Sequence, residues 1–280
     1  MVRNIPDVGT QQAELMSGGI DWMFKVPLDL AESLGGTPMA QHLSGPDLRV
    51  GFIVLDAHGY TDPDGPLTHV KVRQAINHAL NTSEMAQYLI GGSAEAIHTA
   101  CHPAQFGCDQ AATAYPYDPE KAKELLAEAG VENPSVTFYV TEGGSGMLDP
   151  IAMGTAIQAD LQAVGFDVTI ETYEWNTFLG EVNPGLEGKA DMAEMAWMTN
   201  DPDTLPFLAL RSEAWPDKGG FNSGYYSNPK VDELLEAARV ATDQEERAKL
   251  YKEMQVIVQE DAPWVFVANW KQNAVTSDRV

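Results

Sequence analysis

The sequence of 280 residues is 44% hydrophobic and 21% charged, which is typical of a globular chain with one large or two smaller domains. Its 41 Asp and Glu residues outnumber 17 Lys and Arg residues, so the formal net charge is −24. An acidic surface repels phosphate backbones and anionic headgroups, and this argues against nucleic-acid and membrane-surface binding. No apolar run could cross a bilayer, and residues 1–10 lack a signal-peptide core. The chain is therefore either cytoplasmic or begins downstream of its targeting segment.

The first third of the chain has few regular patterns. Residues 1–49 hold two Gly-Gly pairs and little strand content, so we expect them not to fold alone. After the turn-rich segment 62–66, apolar residues recur at helical spacing between Val72 and Leu80, which predicts an amphipathic helix. Residues 51–267 are typical of one α/β domain.

The two cysteines lie close together in a stretch that contains Pro and Gly. In an oxidising compartment Cys101 and Cys108 would form a small loop-closing disulfide, which is the interpretation we favour. Two free thiols are one alternative. A metal site that also uses His98 and His102 is another, although this spacing matches no familiar zinc pattern.

The middle of the chain carries clear capping and alternation signals. They predict a helix between Asp118 and Gly130, a strand at 136–140, a helix between Asp149 and Gly165, and strands at 166–171 and 192–197. Strand, helix and strand with short connections predict a βαβ unit with a parallel strand pair.

The last third is predicted to be helical before a final strand. Asn228 precedes Pro229 at the start of one helix, and Thr242–Glu245 has the pattern of a capping box for the next. Pro263 ends that helix, and Trp264–Val267 is predicted to be a buried strand.

Two segments could carry chemistry. Glu142–Gly146 lies after a strand and before a helix, where α/β sheets bind ligands, so it is either a ligand-lining loop or a flexible connection. Neither it nor Gly91-Gly92 matches a nucleotide fingerprint. Asp201 and Asp203 could act as an acid–base pair or bind a cation, but we favour Asp203 as a helix cap. The absence of a catalytic pattern favours a binding protein.

Motifs along nearly the whole chain resemble family 5 extracellular solute-binding proteins of ABC importers, the type that binds dipeptides, oligopeptides, nickel and glutathione. The segments that carry the resemblance are 72–80, 115–130, 157–165, 173–175, 201–203, 224–232 and 261–264.

The resemblance implies an α/β, two-lobed venus-flytrap fold, of which this chain is a fragment lacking the N-terminal lobe. Residues 1–49 would be a partial piece of the first lobe, 50–267 the second lobe, and 268–280 the truncated hinge return. It implies a periplasmic or extracellular monomer that works with a membrane permease, without catalysis, cofactor or metal. An exported location also fits the disulfide. A ligand-sensing domain of a regulator is the alternative.

The resemblance also indicates a solute site. Trp197 matches an aromatic residue of the cleft in dipeptide-binding relatives, whereas Asn200 replaces their ammonium-binding Asp, and 141–145 lacks their carboxylate-binding Arg. The cleft face should therefore be neutral to acidic, and we expect an oligopeptide first and an oligosaccharide second. The expected ligand-binding residues are Trp197, Thr199, Asn200, Asp201, Glu142, Gly143, Trp175 and Tyr173.

Overall fold

A computed structural model describes residues 2–60, 62–89, 94–108 and 112–280, so Gly91-Gly92 lies outside the described residues. The chain forms two compact units. The small unit comprises Met1–Asp47 and Trp270–Val280, and the large unit comprises Leu48–Asn269.

Helices and strands alternate along most of the chain. In chain order they are α1 (Val8–Ser17), β1 (Trp22–Phe24), α2 (Leu28–Gly35), β2 (Ala40–Pro46), β3 (Arg49–Leu55), α3 (Val70–Ala79), α4 (Thr82–Glu84), β4 (Ala94–Ala96), α5 (Pro119–Ala129), β5 (Ser135–Thr141), α6 (Pro150–Ala163), β6 (Asp167–Tyr173), α7 (Trp175–Val182), β7 (Met192–Met198), α8 (Thr204–Ala209), α9 (Pro229–Val240), α10 (Gln244–Asp261) and β8 (Trp264–Ser277). Among the described residues no helix combines the length and apolarity needed to cross a membrane.

In the small unit, β1 and β2 pair with the end of β8. Both strands run antiparallel to it, with Met23 and His42 opposite Val275. The expectation of little strand content in residues 1–49 was wrong for β2, whose pairing partner lies more than two hundred positions away along the chain and leaves no local signal. The two helices pack on this sheet through a small apolar core that includes Leu15, Leu34 and Val275.

The large unit is built on a mixed sheet in the order β8-β3-β7-β5-β6. β5 runs parallel to β6 and to β7, while β3 is antiparallel to β7 and β8. The predicted βαβ unit is confirmed, because α6 connects the parallel pair β5 and β6. Phe52 of β3 stacks on Trp264 of β8 at 4.0 Å within the core of this unit.

Local capping explains where most helices begin. Asp118 accepts a hydrogen bond from the Lys121 amide at 2.9 Å, and Gly130 ends α5 in the left-handed conformation. The predicted capping box at Thr242 was wrong by one residue: the Asp243 carboxylate accepts from the Glu246 amide at 2.9 Å. A charged acceptor at this position forms a stronger bond than a hydroxyl.

Candidate solute-binding site

A cavity of about 260 Å³ lies in the large unit, between the face of β3 and β7 and helix α7. Its apolar wall is formed by Phe52, Val54, Leu179, Val182, Met195 and Ala209. Three further aromatic side chains border it, namely Trp175, Trp197 and Phe221, and its polar side chains are Ser145, Asn183 and Ser223. Its lining, drawn from the part of the chain that the structure describes, contains no charged side chain.

Strand register brings the wall residues together. Along a strand, alternate side chains point to the same face of the sheet. Phe52 lies opposite Met195, and Val50 lies opposite Trp197, in the antiparallel pairing of β3 with β7. Trp197 is the last of these residues before the chain leaves the sheet, so its ring stands at the edge of the cavity.

Two tryptophans are half-buried at this edge. The Trp197 ring meets Phe221 edge to face, with centroids 5.2 Å apart and planes at 87°. Trp175 is the first residue of α7 and stacks on Phe178 at 5.8 Å. Glu174 fixes the start of that helix, because its carboxylate accepts from the Asn176 amide at 2.9 Å. Each indole therefore has an ordered position with part of its surface exposed.

The end of β5, where the next loop begins, is held to β7 by a buried carboxyl group. The Glu194 Oε1 atom accepts from the Thr141 amide at 2.8 Å, and the Thr141 hydroxyl donates to the Gly143 carbonyl oxygen at 2.6 Å. Glu194 is 4% exposed. Burial raises the pKa of its carboxyl group to about 8, and the bond from Thr141 only partly opposes this. The group is therefore largely protonated at neutral pH.

Further along this loop, the chain lies against β7, Trp175 and Arg49. The Ser145 hydroxyl donates to the Ala196 carbonyl oxygen, and Arg49 Nε donates to the Ser145 carbonyl oxygen. Gly144 has φ +111°, and a Cβ atom there would lie 2.2 Å from Trp175 Cδ2. The expectation of a neutral to acidic face rests partly on the absence of Arg from 141–145. Arg49 of β3 contacts this loop but lies outside the cavity lining.

The segment after β7 is engaged in local contacts. Thr199 is 3% exposed, and its carbonyl oxygen accepts from Gln105 Nε2 at 2.9 Å. Asn200 is exposed. Asp201 Oδ1 accepts from the amides of Asp203 and Thr204 at 2.9 and 2.8 Å, so Asp201 caps α8.

The expectation that Asp203 caps α8 was therefore wrong. Its carboxylate instead lies 3.3 Å from Arg239 Nε and accepts from the Tyr251 hydroxyl at 3.2 Å. Burial raises the pKa of Asp203, and the charge of Arg239 opposes this. The loop before α8 turns so that the carboxylate of Asp201, rather than that of Asp203, accepts hydrogen bonds from the amides at the start of the helix.

The remaining expected residues lie near β6. Tyr173 donates its hydroxyl hydrogen to Glu171 Oε2 at 2.6 Å, and its ring packs against Tyr139. Glu142 is exposed, and its amide donates to the Tyr173 carbonyl oxygen at 2.9 Å. Of the expected ligand-binding residues, Trp175 and Trp197 line the cavity, while the following lie outside its lining: Thr199, Asn200, Asp201, Glu142, Gly143 and Tyr173.

Cys101 and Cys108 form a disulfide with their Cα atoms 5.8 Å apart. Within the loop that it closes, Gln105 Oε1 accepts from the His102 amide at 3.0 Å, and His102 Nε2 lies 3.2 Å from Asn269 Oδ1. Since Gln105 also donates to Thr199, this loop supports the segment after β7. Among the residues that the structure describes, no group of three His, Cys, Asp or Glu side chains is placed to hold a metal ion.

Comparisons with known proteins identify the family to which this chain is similar. The family model described as "Bacterial extracellular solute-binding proteins, family 5 Middle" matches residues 1–218. Heme-binding protein A of Haemophilus influenzae is 33% identical over 281 residues, which cover 99% of this chain and 49% of that protein. The dipeptide-binding protein of Escherichia coli is 28% identical over 267 residues, covering 94% and 48% respectively.

A solved structure shows the same fold. The ABC transporter-associated periplasmic binding protein DppA from Helicobacter pylori, in complex with the peptide STSA, matches with a TM-score of 0.83 and 30% identity. The match covers 100% of this chain and 52% of that one. The chain thus spans about half the length of the curated relatives it matches. The α/β fold and the family resemblance inferred from the sequence are confirmed, and the chain belongs to the bacterial extracellular solute-binding proteins of family 5.

Proposed function

We propose that this chain is part of a two-lobed, exported solute-binding protein of an ABC importer, which captures an oligopeptide and delivers it to a membrane permease without catalysis. The observation that carries the proposal is the cavity bordered by Trp175 and Trp197. Two relatives support it: one is named a dipeptide-binding protein, and the other is solved with a peptide.

We propose that residues 50–267 form the second lobe, that 1–49 are a partial piece of the first lobe, and that 268–280 are the return through the hinge. Solute bound between the lobes would stabilise a closed state, which the permease recognises in preference to the open one. The protein would act as a monomer in the periplasm or outside the cell, and would approach the membrane through the permease.

The cavity favours a peptide over an oligosaccharide. A sugar presents hydroxyl groups on most sides, and each one buried without a partner costs free energy. Here the wall is apolar, and the Ser145 hydroxyl already donates to Ala196. A peptide instead supplies apolar side chains for the cavity and backbone groups for its polar edge.

The proposal is tested by purifying the two-lobed protein without denaturation and identifying the bound molecules by mass spectrometry. We expect peptides of a few residues, and calorimetric binding of synthetic peptides with the recovered sequences. Recovery of oligosaccharides alone, with no heat of binding from any peptide, would contradict the proposal.

A further inference from the structure

The size of the cavity sets what it can hold. An apolar cavity of about 150 Å³ in another protein binds benzene. The cavity here measures about 260 Å³. It therefore has room for a ring system larger than benzene, such as an indole, or for a long aliphatic side chain.

The chemistry of the lining sets which groups are favoured. Phe52, Leu179 and Met195 offer apolar contact over most of the wall. Trp197 and Phe221 form an edge-to-face corner, an arrangement to which a third ring adds favourably. Burial of a Phe or Leu side chain in such surroundings is favourable in proportion to the apolar area removed from water.

Charged groups are disfavoured for the same reason. The lining has no charged side chain among the residues described, so an entering carboxylate or ammonium would lose its hydration without an ionic partner. The Arg49 guanidinium lies beside the loop rather than in the lining, and its Nε–H group is directed to the Ser145 carbonyl oxygen. Asn183 and Ser223 provide only neutral polar edges.

From these observations we propose that the cavity is a specificity pocket that accepts one bulky apolar or aromatic side chain of the peptide and rejects charged ones. This inference rests on the proposed function for the identity of the solute as a peptide. Ala209 is a small, buried residue of the wall, so a larger side chain at this position would occupy part of the cavity.

The pocket is tested first with fluorobenzene as a probe, titrated into the whole chain and followed by ¹⁹F NMR. We expect saturable binding that is weakened at least tenfold by Ala209→Leu, which fills the cavity, and by Trp175→Ala, which removes one border. Trp22→Ala, at a residue 61% exposed in the small unit, is the matched control and should bind normally. Absence of saturable binding, or an unchanged affinity in both pocket variants, would overturn the inference. Trp175→Ala decides the matter if Ala209→Leu does not fold.

The second test uses the two-lobed protein and calorimetry with Ala-Ala-Ala and its three single-Phe and three single-Glu derivatives. Full burial of a Phe side chain predicts that one Phe peptide binds about 10- to 100-fold more tightly than Ala-Ala-Ala, and that its Glu counterpart binds more weakly. If the peptides bind with equal affinity, the pocket inference is wrong and the proposed function stands. If fluorobenzene binds and no peptide does, the proposed function is wrong and the pocket stands.

Discussion

Replacement of the buried carboxyl group Glu194→Gln should remove a pH-dependent loss of stability. Burial raises the pKa of this group from the 4.5 of a free glutamate to about 8. Between these values the folded protein binds more protons than the unfolded chain, so its free energy of unfolding falls as pH rises. Each pH unit contributes about 1.4 kcal/mol, and the full interval amounts to a loss on the order of 5 kcal/mol. The loss is absent below the unfolded pKa and complete above about pH 8.

The assay is urea denaturation at several pH values from about 4.5, the pKa of the unfolded state, to about 9, which is above the pKa of the folded state. The carboxamide of the Glu194→Gln variant keeps an oxygen that can accept from the Thr141 amide, so the substitution preserves the contact while removing the titration. The variant should become progressively more stable than the natural protein as pH rises. Glu142→Gln, at an exposed position next to Thr141, is the control and should show the same pH dependence as the natural protein. A constant difference between Glu194→Gln and the natural protein across this range would refute the reasoning.

Three further predictions concern local structure, each measured by urea denaturation. Reduction of the Cys101–Cys108 disulfide should lower the free energy of unfolding by about 2–3 kcal/mol, the value expected for so short a loop; an unchanged transition midpoint would contradict this. Asp201→Ala should cost about 1 kcal/mol through loss of the α8 cap, whereas Asp201→Asn should cost less, and equal losses would argue against capping. Gly144→Ala should cost about 1–3 kcal/mol, because its backbone has a positive φ and its Cβ would collide with Trp175, whereas Gly143→Ala has open space and should be tolerated; equal effects would contradict this.

Elements with local signals could be predicted from the sequence. The ends of helix α5 are set by Asp118 and Gly130. Each forms its capping hydrogen bonds with backbone groups that lie within about one turn of it. The prediction of a helix cap fails where two neighbouring carboxylates could each accept from the first amides of the helix. At α8 the choice between Asp201 and Asp203 depends on the path of the loop, which the sequence pattern does not encode.

The site was only partly predictable for a related reason. Trp197 and Trp175 were expected at the site from the family resemblance and from the aromatic residues near these positions. Both line the cavity. Arg49 and Ser145 are 96 positions apart, and their contact follows from the pairing of β3 with β7 rather than from any motif. Phe221 reaches Trp197 from an irregular segment beyond α8, which has no periodicity that would place its ring.

The central claim is that solute binds at the cavity bordered by Trp197. It is tested most directly by calorimetry of the two-lobed protein with a peptide that copurifies with it, comparing Trp197→Ala with Trp22→Ala. Loss of the indole removes a large apolar contact, so we predict at least tenfold weaker binding by Trp197→Ala and unchanged binding by Trp22→Ala. Unchanged affinity in a correctly folded Trp197→Ala variant would show that the solute binds elsewhere.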